Sequence, residues 1–292
     1  MGFRAVCIES RCKCSYSGGY LVVTTNEVTT RIHLSEIASI TFCTTQAFVS
    51  AYLLSELAKA KIPVVFSDEK YLPVAECLPM YGAHNNSARI ADQLAWTLPA
   101  KKRLWQRIVQ DKITLQARVL DLYGDAATAP VLRSYAASVR SGDSDNREAV
   151  AAAAYFTALF GAPFNRDMDC PLNYSLDYGY SIILSKVARE IASRGYLTQI
   201  GIHHRGSLNP WNLACDFMEP FRPYIDVVIV RTNQDKFDTE TRRQLIGIMS
   251  DSIDYDGGRY KLGSVIKYYV RDCFDALEKK IDFADIKCYE LL

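Results

Sequence analysis

Four side chains in the second half of the chain have the types from which a phosphodiester-cleaving centre is built: Glu148, His204, Asp216 and Glu219, with His203 as an alternative to its neighbour. One imidazole and two or three carboxylates make a hard, mostly oxygen donor set. Such a set suits Mg2+ or Mn2+ better than Zn2+ and leaves room for substrate oxygens. A divalent ion there polarises a phosphate and stabilises the leaving oxygen without a covalent protein intermediate. Each member also has a plainer reading. Glu148 follows Asp145 by three residues at a helix start, as the acid of a capping box does. His203 and His204 are two of only four histidines, and a histidine is more often hydrogen-bonded into a loop than a ligand.

The stretch GIHHRGSLNPWNLACDFMEPFRP, residues 201 to 223, carries His204, Asp216 and Glu219 together. Asn209 can cap a helix, Pro210 fits its first position, and Pro220 cannot continue its hydrogen-bond ladder. Leu213, Ala214, Phe217 and Met218 then form an apolar face, while Asn212, Asp216 and Glu219 share the opposite one. On an isolated helix that face meets water; in a site it aims two acids at one point. Spacing alone leaves both open. Arg222, between two prolines, either clamps a DNA phosphate or pairs with Glu219 to stiffen the turn, and the pairing is the preferred reading.

The elements that must position these residues fall into two regions. From residue 4 to about 75 the pattern is β-rich: RAVCIES, then YLVVTTNEVTTRIHL with a turn at Asn26 and Glu27, then ASITFC and IPVVFSD. One helix interrupts, from about Ala47 to Lys61. Residues 76–86, ECLPMYGAHNN, read as a linker. Residues 87–292 read as an α-helical region: SARIADQLAWTL, an amphipathic stretch from Lys101 to about Leu122, REAVAAAAYFTALFG ended by Gly161, a helix from about Leu176 to Arg194, and about three more, interrupted by a Gly-rich turn at DYDGGRY. The fold class expected is α+β, a small β-rich N-terminal domain followed by a larger all-α catalytic domain.

Composition bounds the rest. The 292 residues are 49% hydrophobic and 23% charged, and 34 Lys plus Arg against 33 Asp plus Glu leave a net charge of +1. No global field draws a polyanion, so a nucleic-acid surface has to be a local patch. Lys101, Lys102 and Arg103, with Trp105 and Arg107 close by, are the candidate patch, although most such runs are solvated helix faces. Nine scattered cysteines give neither a zinc-finger spacing nor a disulfide framework and read as reduced thiols. No run approaches a membrane span and no signal-peptide core opens the chain, so a cytoplasmic protein is expected. Phosphate-binding glycine loops, Ser/His/Asp patterns and HExxH are absent.

Several stretches, NREAVAAAAYFTALFG, FNRDMD, LDYGYSIILSKVAREI, GIHHRGSLNPWNLACDFMEPFRPYID, IHLSEI and VVFSDEKYLP, resemble the CRISPR-associated integrase family, Cas1, across nearly the whole chain. The last two and the GIHH stretch are similar to the branch found in type II-A systems. The resemblance implies a β-rich dimerisation domain and a helical catalytic domain. It implies metal ligands at Glu148, His204 and Glu219, with Asp216 beside the metal rather than on it and His203 outside the ligand set. The implied reaction is integration, in which the 3′-hydroxyl of a short captured DNA attacks a phosphodiester at the edge of a CRISPR repeat. Implied partners are a second copy of this chain, DNA, and a small second subunit, Cas2, in a four-plus-two complex. A ring-shaped accessory protein and the effector nuclease would join them in a type II-A system. Two alternatives use the same residues differently: a stand-alone metal-dependent nuclease for branched DNA or repair, and a non-catalytic DNA-bridging scaffold whose acids only cap and solvate helices.

Overall fold

The computed structural model describes residues 4–69, 73–77, 86–125, 127–162, 164–232 and 235–291. In the N-terminal part, β1 (Arg4–Ile8), β2 (Cys12–Ser17), β3 (Tyr20–Thr24), β4 (Thr29–His33), β5 (Ile37–Phe42), β6 (Ala47–Val49), α1 (Ala51–Lys59), β7 (Val64–Ser67) and β8 (Pro73–Cys77) build two four-stranded sheets. One sheet runs β1-β5-β7-β8, parallel through its first three strands; the other runs β4-β3-β2-β6, an antiparallel meander closed by the parallel β6. Ile8, Cys14, Leu21, Ile40, Phe42, Leu53, Leu57 and Val64 interdigitate as one core between the sheets and α1.

The N-terminal helix begins four residues later than its pattern suggested. Ala47–Val49 pairs with β2, and Ser50, extended at φ −75° and ψ 140°, accepts a hydrogen bond from the Leu53 amide and starts α1. The side-chain cap decides the boundary, because it satisfies an amide that the helix itself cannot. Within the stretch read as a linker, Glu76 and Cys77 belong to β8, residue 86 opens the next helix, and residues 78–85 lie outside the described residues, as do 70–72 of SDEKYLP.

The remainder is mostly helical: α2 (Asn86–Ala95), α3 (Leu98–Tyr123), α4 (Ala129–Ser138), α5 (Arg147–Phe160), α6 (Pro171–Ser193), α7 (Asn212–Met218), a 3-10 turn (Glu219–Phe221), α8 (Arg222–Val230), α9 (Thr239–Gly247) and α10 (Leu262–Leu277). The SARIADQLAWTL stretch is not one helix: Thr97 caps α3 by accepting from the Ala100 amide, so a new axis begins there. α3 and α6 run through the centre and bury long apolar stripes, including Leu104, Ile108, Val109, Ile113 and Leu120 on α3 and Leu176, Ile183, Val187 and Ile191 on α6.

The expectation of an all-α region needs correction. β9 (Ser252–Tyr255), β10 (Gly258–Lys261) and β11 (Tyr289–Glu290) form a small antiparallel sheet. DYDGGRY, read as a turn between helices, is a β-hairpin: Asp256 at φ 48° and Gly257 at φ 73° supply the two left-handed positions of a tight two-residue turn. β11 lies over the 3-10 turn, where the Tyr289 hydroxyl donates to the Pro220 carbonyl and its ring stacks on Phe221. All nine cysteines are free. Among the described residues no helix is long and apolar enough to cross a membrane.

Candidate active site

The polar face of α7 does not meet water. Asn212, Asp216 and Glu219 are 5%, 0% and 2% exposed, and each does a different job. Asn212 donates to the carbonyls of Gln199 and Gly206 and accepts from the Gly206 amide, tying down the loop that carries both histidines. Asp216 accepts the amides of Ile202, His203 and His204, and its Oδ1 lies 2.7 Å from His204 Nδ1. Gly201 has to be glycine: a Cβ would collide with the His204 carbonyl and sit 2.7 Å from Asp216 Oδ2. Both Asp216 oxygens are thus spent on the loop. The ring is held with Nε2 directed away from its carboxylate, and the Asp216 hydrogen bond, opposed by burial, raises the affinity of His204 for its proton.

The helix itself starts later than its capping signals indicated. Asn209 accepts from the Trp211 amide in a turn before the helix, and the first helical residue is Asn212. Pro220 does not end the segment; it lies within one 3-10 turn, after which α8 begins at Arg222 with Pro223 in its first turn.

Glu219 and Glu148 meet at a residue the sequence reading passed over. Lys112, on α3, places Nζ 2.6 Å from Glu148 Oε1 and 2.5 Å from Glu219 Oε2. Its side chain is 9% exposed and that of Glu219 only 3%. The other Glu219 oxygen accepts from Arg222 Nε at 2.9 Å, and the Arg222 guanidinium lies 4.6 Å from the centre of the Tyr180 ring. Burial alone would push the Glu219 carboxyl up; Arg222 and Lys112 outweigh it and hold it well below the usual carboxylate range. Lys112 is held charged in the same way, burial being outweighed by Glu219 and then Glu148.

Glu148 is not the acid of a capping box. Asp143 accepts the Arg147 and Glu148 amides, Asp145 pairs with Arg140, and the Glu148 carboxylate is left free to reach Lys112. His203 turns the other way, its ring stacked on Trp105 at 4.0 Å and 3° between planes. The basic cluster is split by the helix. Lys101 lines a cleft of about 560 Å³ with His204 and Arg205, Lys102 is exposed beside Gly142, and Arg103 pairs with Asp282 and covers Phe283. Arg107 holds Asp111 and the carbonyls of Ala284 and Ile286, which is a brace for the C-terminal segment.

The Lys112 ammonium stands between the two carboxylates, and Glu219 and Glu148 add to Asp216 in raising the affinity of the His204 imidazole for its proton. Among the described residues no group of three or more His, Cys, Asp or Glu side chains closes on a common metal position. The donor set of two carboxylates and one imidazole nevertheless fits a hard divalent ion. Lys112 had one legible signal, since it follows Ile108 by four and Val109 by three and so sits in phase with the buried stripe of α3.

Residues 6–246 match the family described as CRISPR associated protein Cas1. Over 230 residues the chain is 39% identical to the CRISPR-associated endonuclease Cas1 of Neisseria meningitidis serogroup C (strain 8013), covering 79% of this chain and 76% of that protein. Among solved structures, a chain of a Cas6-RT-Cas1–Cas2 complex aligns with a TM-score of 0.77 and 20% identity, covering 99% of this chain and 36% of that one. A TtCas1-DNA complex aligns with a TM-score of 0.58 and 14% identity, covering 94% and 90%. The two structures share this fold, and the sequence match over most of the chain assigns it: the chain belongs to the Cas1 family of CRISPR-associated proteins.

Proposed function

We propose that Glu148, His204 and Glu219 hold a divalent cation with which this chain joins captured DNA to a CRISPR array. As a Cas1 protein it is a CRISPR-associated endonuclease and integrase of spacer acquisition. The observation that carries the proposal is the convergence of Glu148 and Glu219, 71 residues apart, on one buried cation position, that of the Lys112 ammonium; His204, oriented by Asp216, is the third proposed ligand. Mg2+ or Mn2+ held there would supply Lewis-acid polarisation of the phosphodiester and stabilise the leaving oxygen. Asp216 fixes the His204 tautomer and ring plane, a positioning role. Arg222 keeps Glu219 ionised and rigid, so it supports the site rather than gripping DNA. Lys101 and Arg205, flanking the His204 cleft, offer the local positive surface that a phosphate backbone needs, while Lys102 is the exposed member of the cluster and Arg103 is engaged with Asp282.

The partners follow from the family: a second copy of this chain through residues 1–75, the Cas2 subunit, and DNA, with 87–292 as the catalytic domain. Structural relatives found with Cas2 and with DNA support this. A type II-A setting, with the ring-shaped accessory protein and the effector nuclease, is proposed from IHLSEI, SDEKYLP and the GIHH stretch. The deciding experiment is strand transfer with this protein, Cas2, a labelled duplex carrying free 3′-hydroxyls and a leader-repeat plasmid, in Mn2+ or EDTA. Joining at the repeat edge that needs metal and Glu219 is expected; binding without joining in any metal would replace catalysis by scaffolding. Adding the effector nuclease in cells tests the subtype, which is wrong if its deletion leaves acquisition unchanged.

A further inference from the structure

We propose that Lys112 is a built-in counter-ion of the site: its ammonium holds Glu148 and Glu219 in the DNA-free protein, leaves the space between them when a divalent cation enters, and passes to a DNA phosphate, so that metal uptake is coupled to DNA binding. The proposal rests on the metal-binding reading of Glu148 and Glu219 above. Its basis is geometric. Both oxygens of Glu219 are engaged by cations, Oε2 by Lys112 and Oε1 by Arg222, and its side chain is 3% exposed. Each oxygen keeps a second lone pair, but a divalent ion shared by Glu219 and Glu148 would have to stand where the Lys112 ammonium now lies between them, at 2.5 and 2.6 Å, so the ammonium has to leave. Arg222 is anchored a second time on the Tyr180 ring, whereas among the described residues Lys112 Nζ bonds only the two carboxylates. Lys112 is also the one cation whose departure frees both acids at once.

The charge count points the same way. Two carboxylates, Glu148 and Glu219, face one ammonium and one guanidinium, a formal charge of zero that gives a divalent ion little reason to enter. Removing the ammonium would make it minus one and the entry more favourable. An ammonium that stays largely buried after its expulsion needs a new anion, and the anion that the proposed function brings to this site is the DNA backbone. A lysine suits the task because its ammonium is a point charge on a flexible stem, free to swing between partners where a guanidinium would be locked in a planar fork. Coupling of this kind is reciprocal: DNA that takes up the ammonium tightens metal, and metal tightens DNA by the same factor.

The test reads bound Mn2+ from the loss of its free-ion paramagnetic resonance signal, with and without a branched DNA duplex, and with binding to the DNA alone subtracted. The proteins are the intact chain, Lys112→Met, Lys112→Gln and Glu219→Gln. In the intact chain DNA should tighten Mn2+ binding by about tenfold, within the usual range of coupling between sites. Lys112→Met should tighten Mn2+ by a similar factor of about ten without DNA, and the further effect of DNA should shrink. Lys112→Gln, neutral yet able to hydrogen-bond both carboxylates, should behave alike and covers the case in which the methionine variant does not fold. If both variants bind Mn2+ no more tightly than the intact chain while Glu219→Gln loses it, the counter-ion role is overturned and the metal site stands. If the intact chain binds no more Mn2+ than Glu219→Gln with or without DNA, the metal reading itself fails, and this proposal with it.

Discussion

Glu219 and Asp226 lie seven residues apart on one helical stretch, both at most 2% exposed, and their environments set them to opposite tasks. Glu219 faces an ammonium and a guanidinium. Asp226 faces two phenols, accepting from Tyr155 at 2.8 Å and from Tyr180 at 2.5 Å. Burial pushes the Asp226 carboxyl up to about 6, only partly offset by those hydrogen bonds, while cations hold Glu219 down against equal burial. Burial by itself therefore does not say what a carboxylate is for; the charge of its partners does. The two are also joined, since the Tyr180 ring that bonds Asp226 lies under the Arg222 that bonds Glu219. Asp226 braces the phenol on which the cation beside Glu219 rests.

The contrast is broken most severely by Glu219→Ala, expected to reduce metal-dependent cleavage and joining to the level seen in EDTA, whereas Asp226→Asn, whose hydrogen-bond partners are two neutral phenols, should retain them; a gel-based strand-transfer assay separates the pair. Glu148→Ala and His204→Ala should match Glu219→Ala. Asp216→Asn leaves all proposed ligands present but disturbs the imidazole and its loop, and a loss of about 10- to 100-fold in turnover is expected, the usual cost of an outer partner of a metal-binding histidine. Equal activity in the asparagine protein would remove Asp216 from the site. His203→Ala loses only a stacking contact on Trp105, so a change of at most about tenfold should appear in the same assay. Should His203→Ala be the inactive protein and His204→Ala the active one, the assignment of the pair is reversed.

The smallest effect concerns stability and pH. A carboxyl raised to about 6 in the fold binds its proton more tightly there than in the unfolded chain, so its contribution is complete below its ordinary value and is lost as pH rises through about 6. Glu219 has the opposite sign: its contribution is complete above the ordinary carboxylate range and is lost only on acidification. Asp226→Asn should thus lose ground least at high pH, its melting temperature approaching that of the unaltered protein by a few degrees, about 2–4 °C, between pH 4 and pH 7. A gap that widens over that interval would show that the phenols, not burial, control Asp226.

The sequence was most legible where periodicity and chemistry coincide. The α7 face was read as Asn212, Asp216 and Glu219 from spacing alone, and the β-then-α order from β-branched runs giving way to helical periodicity. What spacing could not tell was which way that face looked, because burial of three polar groups depends on a loop folding over them. Lys112 showed only its phase with the buried stripe, for a related reason: a lysine in a long amphipathic helix reads as a solvated residue, and only its two partners, from distant elements, make its buried position tolerable. The hairpin at residues 252–261 was missed because each strand is four residues long, too short for alternation to rise above a turn signal. Asn209 and Ser50 show that a cap is decided by which side chain reaches an amide, a matter of a single rotamer.

The stack of His203 on Trp105 has an optical consequence. Trp105 is 1% exposed, with an imidazole lying flat on its indole and a second, that of His204, at its edge. Indole emission responds to the polarity and electron demand of whatever touches its face, so displacement of the 201–206 loop would register as a change in fluorescence. Once Trp96 and Trp211 are replaced by phenylalanine, the protein would carry its own dye beneath the histidine loop, and the arrival of DNA could be timed without a label.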